Sequence, residues 1–319
     1  MKKLTMKDIG KLVNVSQSTV SRVLSNHPNV KEEVRQRVLK CIQDNNFVPD
    51  ISAKIMRGES SKILGFVSTN FANPYYLEMV NYVEKEARKN GYTVIVVNCE
   101  KDERLEKIHF KELVTRKVDG IISAPVSAKN LKLLKMSGIP FVVLNEKISW
   151  VDSFYTSLFN AGVEVAKYFI KNNFKRVAYI GEKESDKLKG FLSEINRENH
   201  LNSTESNILF TLEKGFRKKI PEKIKKLDLK CDAIFFSSDE IALLFIKEAR
   251  KYNINLYEKE MVGFDNTIIS QTLGITSIEQ PMENMCELAM KVLLERIEKK
   301  NKTSKIFNTE LEPKLIIRK

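Results

Sequence analysis

The sequence predicts a small all-α head joined to a larger two-lobed α/β core built on parallel sheets. Three observations carry that expectation. The first 47 residues read as short helices, with apolar positions three or four apart. From Ile63 onward, short apolar runs alternate with amphipathic helical patterns, which implies parallel strands covered on both faces. Finally, the chain has 319 residues, enough for two or three domains of about 100–200 residues each. The strand-like runs are too many for one sheet, so two similar lobes are expected.

In the head, Thr5-Met6-Lys7-Asp8 fits a capping box, with Asp in place of the usual Glu or Gln. Ile9, Leu12 and Val13 then mark an apolar stripe. Asn14 can take the left-handed conformation that a tight turn needs. Ser16 is a good N-cap for a second helix, Gln17 to Leu24, with Val20, Val23 and Leu24 facing inward. Asn26-His27-Pro28-Asn29 reads as a loop, and a third helix, roughly 31–45, is expected to bury Val34, Val38, Leu39 and Ile42. Together these make a helix-turn-helix unit. Pro49 to Gly58 has Pro at its start and Gly at its end, as expected of a brief helix. That helix is too short to be stable alone in water.

In the core, the expected strands are Ile63–Ser68, Thr93–Asn98, Gly120–Ser123, Phe141–Leu144, Arg176–Ile180, Ile208–Phe210, Ala233–Phe236 and Met261–Gly263. Helical patterns fill the gaps at Tyr76–Lys89, Glu103–Thr115, Ala161–Lys171, Glu240–Lys251 and Met282–Glu298. The second half restarts near Asn160, which marks the first crossing between lobes.

Composition narrows the function. With 42% hydrophobic and 30% charged residues, the chain reads as globular and soluble. No apolar run approaches the ~18–20 residues of a membrane span, and the charged N-terminus does not suit a signal peptide. A cytoplasmic location is expected. Cys41, Cys99, Cys231 and Cys286 have no ligand spacing and read as reduced thiols. His27, His109 and His200 are too few and too scattered for a multi-histidine metal centre. No cofactor is expected, and the glycine-rich, P-loop and His-Glu-x-x-His enzyme signatures are absent.

Charge is uneven. Residues 1–61 carry 11 Lys/Arg against 6 Asp/Glu, whereas the remainder carries 43 against 35. Net positive charge per residue is therefore nearly three times denser in the head, which suggests nucleic acid as its partner. The strongest local signal is the run from Val15 to Leu24. A helix that starts with small polar residues can enter the major groove N-terminus first. Gln17 and Ser18 would then reach bases, and Arg22 could make a bidentate contact with guanine. Ser16, Thr19 and Ser21 suit phosphates.

The run Met6-Lys7-Asp8-Ile9, Ser18-Thr19-Val20-Ser21-Arg22-Val23-Leu24, His27-Pro28-Asn29-Val30 and Phe47-Val48-Pro49 resembles the headpiece of the lactose-repressor (LacI/GalR) family. The likeness continues through Ile63-Leu64-Gly65-Phe66-Val67, Asn73-Pro74-Tyr75-Tyr76, Val118-Asp119-Gly120-Ile121-Ile122, Gly138-Ile139-Pro140 and Val262-Gly263-Phe264-Asp265. It covers nearly the whole chain. The headpiece motif is highly specific, and the later motifs are shared with periplasmic sugar-binding proteins.

The resemblance implies a transcriptional repressor, a homodimer that binds a pseudo-palindromic double-stranded operator and a small effector, with no membrane partner. It implies a headpiece over 1–48, a hinge helix over 49–58, and a periplasmic-binding-protein-like core over 59–319. The lobes would be about 62–156 with 281–305, and about 157–280 with 306–319. Thr5 and Asn29 join the DNA contacts, as do Ala53 and Met56 of the hinge, where Met56 would wedge into the minor groove. Effector contacts fall on Asn73, Tyr75, Tyr76, Asn145, Lys187, Ser238 and Asp265.

Several positions depart from the family pattern. Gly10 replaces the usual Ala, Asn14 the turn Gly, and Leu158-Phe159 a frequent Asp-Asn pair. Ser238-Asp239-Glu240 stands where Asn-Asp or Asp-Asp is common. Lys187 stands where many members have Arg, which keeps the charge without the planar fork. Asp265 as acceptor, Lys187 as cation and the two tyrosines as flat surfaces favour a carbohydrate, with an anionic or phosphorylated sugar to test first. The rival readings are a periplasmic-type solute-binding protein, which leaves residues 1–58 without a purpose, and an α/β enzyme fused to a DNA-binding domain.

Overall fold

The computed structural model describes residues 4–47, 59–197, 207–211, 231–256, 258–299 and 305–318, the segment 207–211 by its backbone alone. The expected hinge helix, with Ala53 and Met56, lies outside the described residues. Contacts divide the chain into two units, 1–61 and 62–319.

The first unit holds helices α1 (Met6–Leu12), α2 (Gln17–Leu24) and α3 (Glu32–Asp44). Thr5 and Asp8 form the reciprocal capping box, which satisfies amides that the first turn leaves without helical partners. Asn14 takes φ 56° at the turn. Gly10 has its own reason: a Cβ there would lie 2.7 Å from the carbonyl oxygen of Val15. The same turn is closed by the Val15 amide donating to the Gly10 carbonyl at 2.8 Å. Ile9, Val20, Val23, Val38 and Phe47 form the centre of the small core.

Two expected core residues are not there: Leu12 is 58% exposed and Leu39 46%. At about 100° per residue, Leu39 lies well round from Val38, which takes the inward position.

The second unit has two six-stranded sheets. The first contains β1 (Ile63–Ser68), β2 (Thr93–Asn98), β3 (Gly120–Ser123), β4 (Phe141–Leu144), β5 (Ser153–Thr156) and β11 (Asn308–Leu311), in the order β11-β5-β4-β3-β1-β2. The second contains β6 (Val177–Gly181), β7 (Asn207–Thr211), β8 (Ala233–Phe236), β9 (Glu260–Phe264), β10 (Thr276–Glu279) and β12 (Lys314–Ile316), in the order β12-β10-β9-β8-β6-β7. Pairing is parallel except for β12 against β10. Helices α4 (Pro74–Lys89), α5 (Glu103–Thr115), α6 (Leu131–Ser137), α7 (Leu158–Lys171), α8 (Asp186–Arg197), α9 (Asp239–Lys251), α10 (Ile268–Leu273) and α11 (Met282–Glu298) accompany them. The first sheet separates two apolar clusters, one centred on Phe66, Met79 and Met290, the other on Val67, Phe110 and Leu134. The second sheet does the same with clusters around Phe169 and Phe191 and around Phe236 and Phe245. Burial on both faces is what makes these strands continuous apolar runs.

The chain crosses between lobes three times: after β5, after β10, and between β11 and β12. Strand β11 pairs with β5 in the first sheet, so the last crossing lies beyond Leu311. This corrects the expected change of lobe near residue 305. At the start of β5, within the first lobe, a buried ion pair has Arg296 of α11 gripping Asp152 at 2.8 and 2.9 Å. The amide of Phe307 donates to the same carboxylate at 2.8 Å, which explains why β11 lies beside β5.

Candidate functional site

In the head, α2 divides into two sides. Successive residues turn by about 100°, so positions 17, 21, 18 and 22 fall within one arc, with 20 and 23 on the other side and 24 at its border. Val20 and Val23 are buried and Leu24 packs against them, while Gln17, Ser18 and Arg22 are exposed. The buried arc holds the helix, leaving the polar arc available to a partner. The Ser16 hydroxyl accepts from the Thr19 amide at 3.1 Å and lies 2.7 Å from Ser18 Oγ and 2.8 Å from Thr19 Oγ1. These hydroxyls thus have local partners that cost little to exchange for phosphate oxygens. Thr5 Oγ1 donates to Asp8 at 2.6 Å, and the Asn29 amide donates to His27 Nδ1 at 3.2 Å.

Arg35 was not among the expected site residues. Its guanidinium donates to Asn26 Oδ1 at 2.8 Å and to the His27 carbonyl at 2.7 Å. It therefore fixes the loop that carries Asn29.

In the core, the cleft side chains converge on Asp265. Asn73, which N-caps α4, donates to Asp265 Oδ2 at 3.2 Å, and Gln280 donates to Oδ1 at 2.7 Å. Gln280 is itself held by the Thr156 hydroxyl at 2.7 Å. Burial pushes the Asp265 carboxyl up to about 7, against the opposing pull of the Lys187 charge. Asp265 adopts φ 105° and Asn266 φ 51°, a strained pair that its neighbours must hold. Asp239 does this from beneath. Fully buried, it accepts from the Thr267 amide at 2.7 Å, the Thr267 hydroxyl at 3.0 Å and the Ser277 hydroxyl at 2.8 Å. Gly263 leaves room for it, since a Cβ there would lie 2.1 Å from Asp239 Oδ1.

Lys187 sits at the start of α8, where the α7–α8 contact is backbone on backbone. A Cβ on Gly190 would lie 1.9 Å from the Phe159 carbonyl, and one on Gly162 would lie 2.0 Å from that of Lys187. From there Nζ donates to the Ser237 carbonyl at 2.7 Å and lies 3.5 Å from the centre of the Phe264 ring. Burial lowers its pKa, with Asp265 opposing. A cleft of about 480 Å³ opens beside Asp265, with Glu78, Tyr82, Glu279 and Gln280 in its walls.

Two expected roles change. Tyr75 offers no free face: it is buried in the first lobe, where its hydroxyl donates to Asn145 Oδ1 at 2.7 Å. Tyr76 lies edge-on to Tyr75 at 5.4 Å and remains partly exposed, its phenol pushed up to about 12 by burial. The Ser238 hydroxyl caps α9 by accepting from the Ile241 amide at 3.2 Å. Sequence reasoning missed Thr156, Gln280 and Asp239. Their only signal is a polar residue at a strand or helix end, which many non-functional positions share. Among the described residues, no group of three or more His, Cys, Asp or Glu is placed to hold a metal ion, and no helix is long and apolar enough to cross a membrane.

A helix-turn-helix unit with an exposed polar reading arc, followed by two parallel-sheet lobes around a polar cleft, defines a DNA-binding transcriptional regulator with a ligand-binding core. Comparison with known proteins agrees along the chain. Residues 5–50 match bacterial regulatory proteins of the lacI family, 61–190 match periplasmic binding proteins and the sugar-binding domain of that family, and 166–319 match a periplasmic binding protein-like domain. The chain belongs to the LacI family of regulators.

It is 26% identical to the HTH-type transcriptional repressor PurR of Aliivibrio salmonicida, over 99% of this chain and 98% of that protein. It is 28% identical to catabolite control protein A of Priestia megaterium, over 95% of each. The Lac repressor bound to ONPG superimposes with a TM-score of 0.82 at 18% identity, over 99% of both chains. The first of these relatives is a transcriptional repressor by name.

Proposed function

We propose that this chain is a cytoplasmic, non-enzymatic repressor that binds a pseudo-palindromic operator as a homodimer and responds to a small carbohydrate held between its lobes. The observation that carries the reading is the polar arc of α2, with Gln17, Ser18, Ser21 and Arg22 opposite the buried valines. Two-fold symmetry in the protein implies two half-sites in the DNA. Phosphate contacts from Thr5, Ser16, Thr19 and Asn29 would set the register, and Ala53 and Met56 would add minor-groove contacts.

For the effector, Asp265 supplies an acceptor suited to hydroxyls, with Asn73, Asn145, Lys187 and Tyr76 around it. The ribose operon repressor of Halalkalibacterium halodurans is 27% identical over 98% of this chain. A regulator core from Alkaliphilus metalliredigens, solved with D-xylulofuranose, matches 81% of this chain with a TM-score of 0.67. Both support a sugar. A neutral sugar is favoured over the anionic one expected from sequence, because the Lys187 ammonium is already engaged with the Ser237 carbonyl and the Phe264 ring. Asp239 and Gln280 would position Asp265.

Selection of bound duplexes from random DNA by the full chain tests the DNA half of this reading. The expected product is an inverted repeat, and recovery of unrelated sequences would contradict it. A thermal-shift screen of pentoses, hexoses, disaccharides, their phosphates and purines tests the other half. A shift with purines alone would remove the carbohydrate.

A further inference from the structure

The two lobes are tied to each other across the cleft by the protein's own side chains. Asn73 stands in the first lobe, at the head of α4, and Asp265 in the second, just after β9. The Asn73 carboxamide spans the cleft, donating Nδ2 to Asp265 Oδ2 at 3.2 Å. Its other end is fixed, because Oδ1 accepts from the Tyr75 amide at 3.1 Å and caps α4. The carboxamide is therefore held by the helix that it caps. With Gln280 on the second oxygen of Asp265, both carboxylate oxygens already have donors.

We propose that Asn73 is an internal latch: its amide nitrogen occupies Asp265 in place of an effector hydroxyl and holds the lobes together when the cleft is empty. The proposal rests on the reading of Asp265 as an effector contact only for the words "in place of an effector"; the tie itself does not depend on any ligand. An incoming hydroxyl that uses Asp265 Oδ2 must displace the Asn73 amide. Effector binding is then an exchange of one lobe-spanning bond for another, and it moves the lobes only by the difference between the two.

The substitution that isolates the latch is Asn73→Asp. It keeps the oxygen that caps α4 and replaces the donating NH₂ with a second oxygen, so above pH 7, where the Asp265 carboxyl is ionised, an attraction to Asp265 becomes a repulsion. Hydrogen exchange on the full-length protein, without ligand, reads the result by mass spectrometry. In Asn73→Asp, exchange across residues 265–270 is expected to rise by about five- to tenfold, the scale of one lost hydrogen bond. Exchange across 103–115 on the far side of the first lobe should be unchanged. Asn73→Ser, which keeps a capping oxygen but reaches less far, should give a smaller rise and serves if Asn73→Asp does not fold. Unchanged exchange across 265–270 in the folded variant would overturn the latch. Failure of every sugar to bind would instead remove the effector reading and leave the exchange result standing.

Discussion

The residues of the head's reading arc lie within one short helix, from Gln17 to Arg22, whereas those of the cleft come from distant parts of the chain. Asn73 and Asp265 are 192 positions apart yet share a hydrogen bond. The two regions also differ in solvation. Gln17, Ser18 and Arg22 are exposed and bonded, where bonded at all, to near neighbours, so they are free to meet a charged partner in water. Asp265 is buried, held between two amides and a lysine, and its properties depend on the arrangement of both lobes. In the proposed reading a local surface would read DNA, and a non-local interior would govern the response. Changes in the first should alter affinity without altering stability, and changes in the second should do the reverse.

The largest expected effect is in the core. Asp152→Ala leaves Arg296 buried without its carboxylate, which should cost about 3–5 kcal/mol. A thermal melt should show the core transition falling by several degrees while isolated residues 1–47 melt as before. A core that melts unchanged would show that the pair contributes nothing net.

Acidity should separate the regions further. The Asp265 carboxyl is raised from its ordinary value to about 7 in the folded core, so the folded state holds its proton where the unfolded chain has lost it. The contribution to stability is full below about pH 4 and disappears as pH rises through 7. Asp265→Asn removes this dependence. Between pH 5 and pH 8 the stability of the variant relative to the natural protein should therefore improve by about 2–3 kcal/mol, as denaturant titrations at the two pH values would read. A constant difference would mean that the carboxyl titrates normally.

In the head, Arg22→Ala should cost about 1–3 kcal/mol on the selected operator and relax preference at one base pair, with no change in the core melt. Equal loss on random DNA would make Arg22 a phosphate contact. The smallest effect is expected from Ser16→Ala, which removes the N-cap of α2 and should lower head stability by about 1 kcal/mol, read by circular dichroism of residues 1–47. An unaltered melt would show that Thr19 or Ser18 takes over the cap.

The same contrast explains what could be read from the amino acids. Thr5, Asn14 and Ser16 act through neighbours three residues away or through their own backbone, so capping and turn chemistry located them. The apolar strands of the core stood out because both faces are covered. The strands Ser153–Thr156 and Asn308–Leu311 did not, since each is four residues long with polar residues at half or more of its positions, and only the fold brings them together. Asp239 and Gln280 act on Asp265 through tertiary contacts that leave no periodic trace. Lys187 was singled out for its charge, but its partners, Ser237 and Phe264, could not be foreseen. Gly10 stood out only as a departure from the usual Ala, and it is the point where α1 meets the turn.

The most direct test of the division between reader and responder is a single titration series. Operator affinity of the full-length dimer would be measured by fluorescence anisotropy with and without the sugar that gives the largest thermal shift, for the natural protein and for Asp265→Asn. The sugar should change the affinity of the natural protein by at least about fivefold, the lower end of ordinary coupling between sites. Asp265→Asn should bind the operator nearly as well in the absence of sugar and show little response to it. An Asp265→Asn protein that responds as strongly as the natural one, or a natural protein whose operator affinity no sugar changes, would contradict the account.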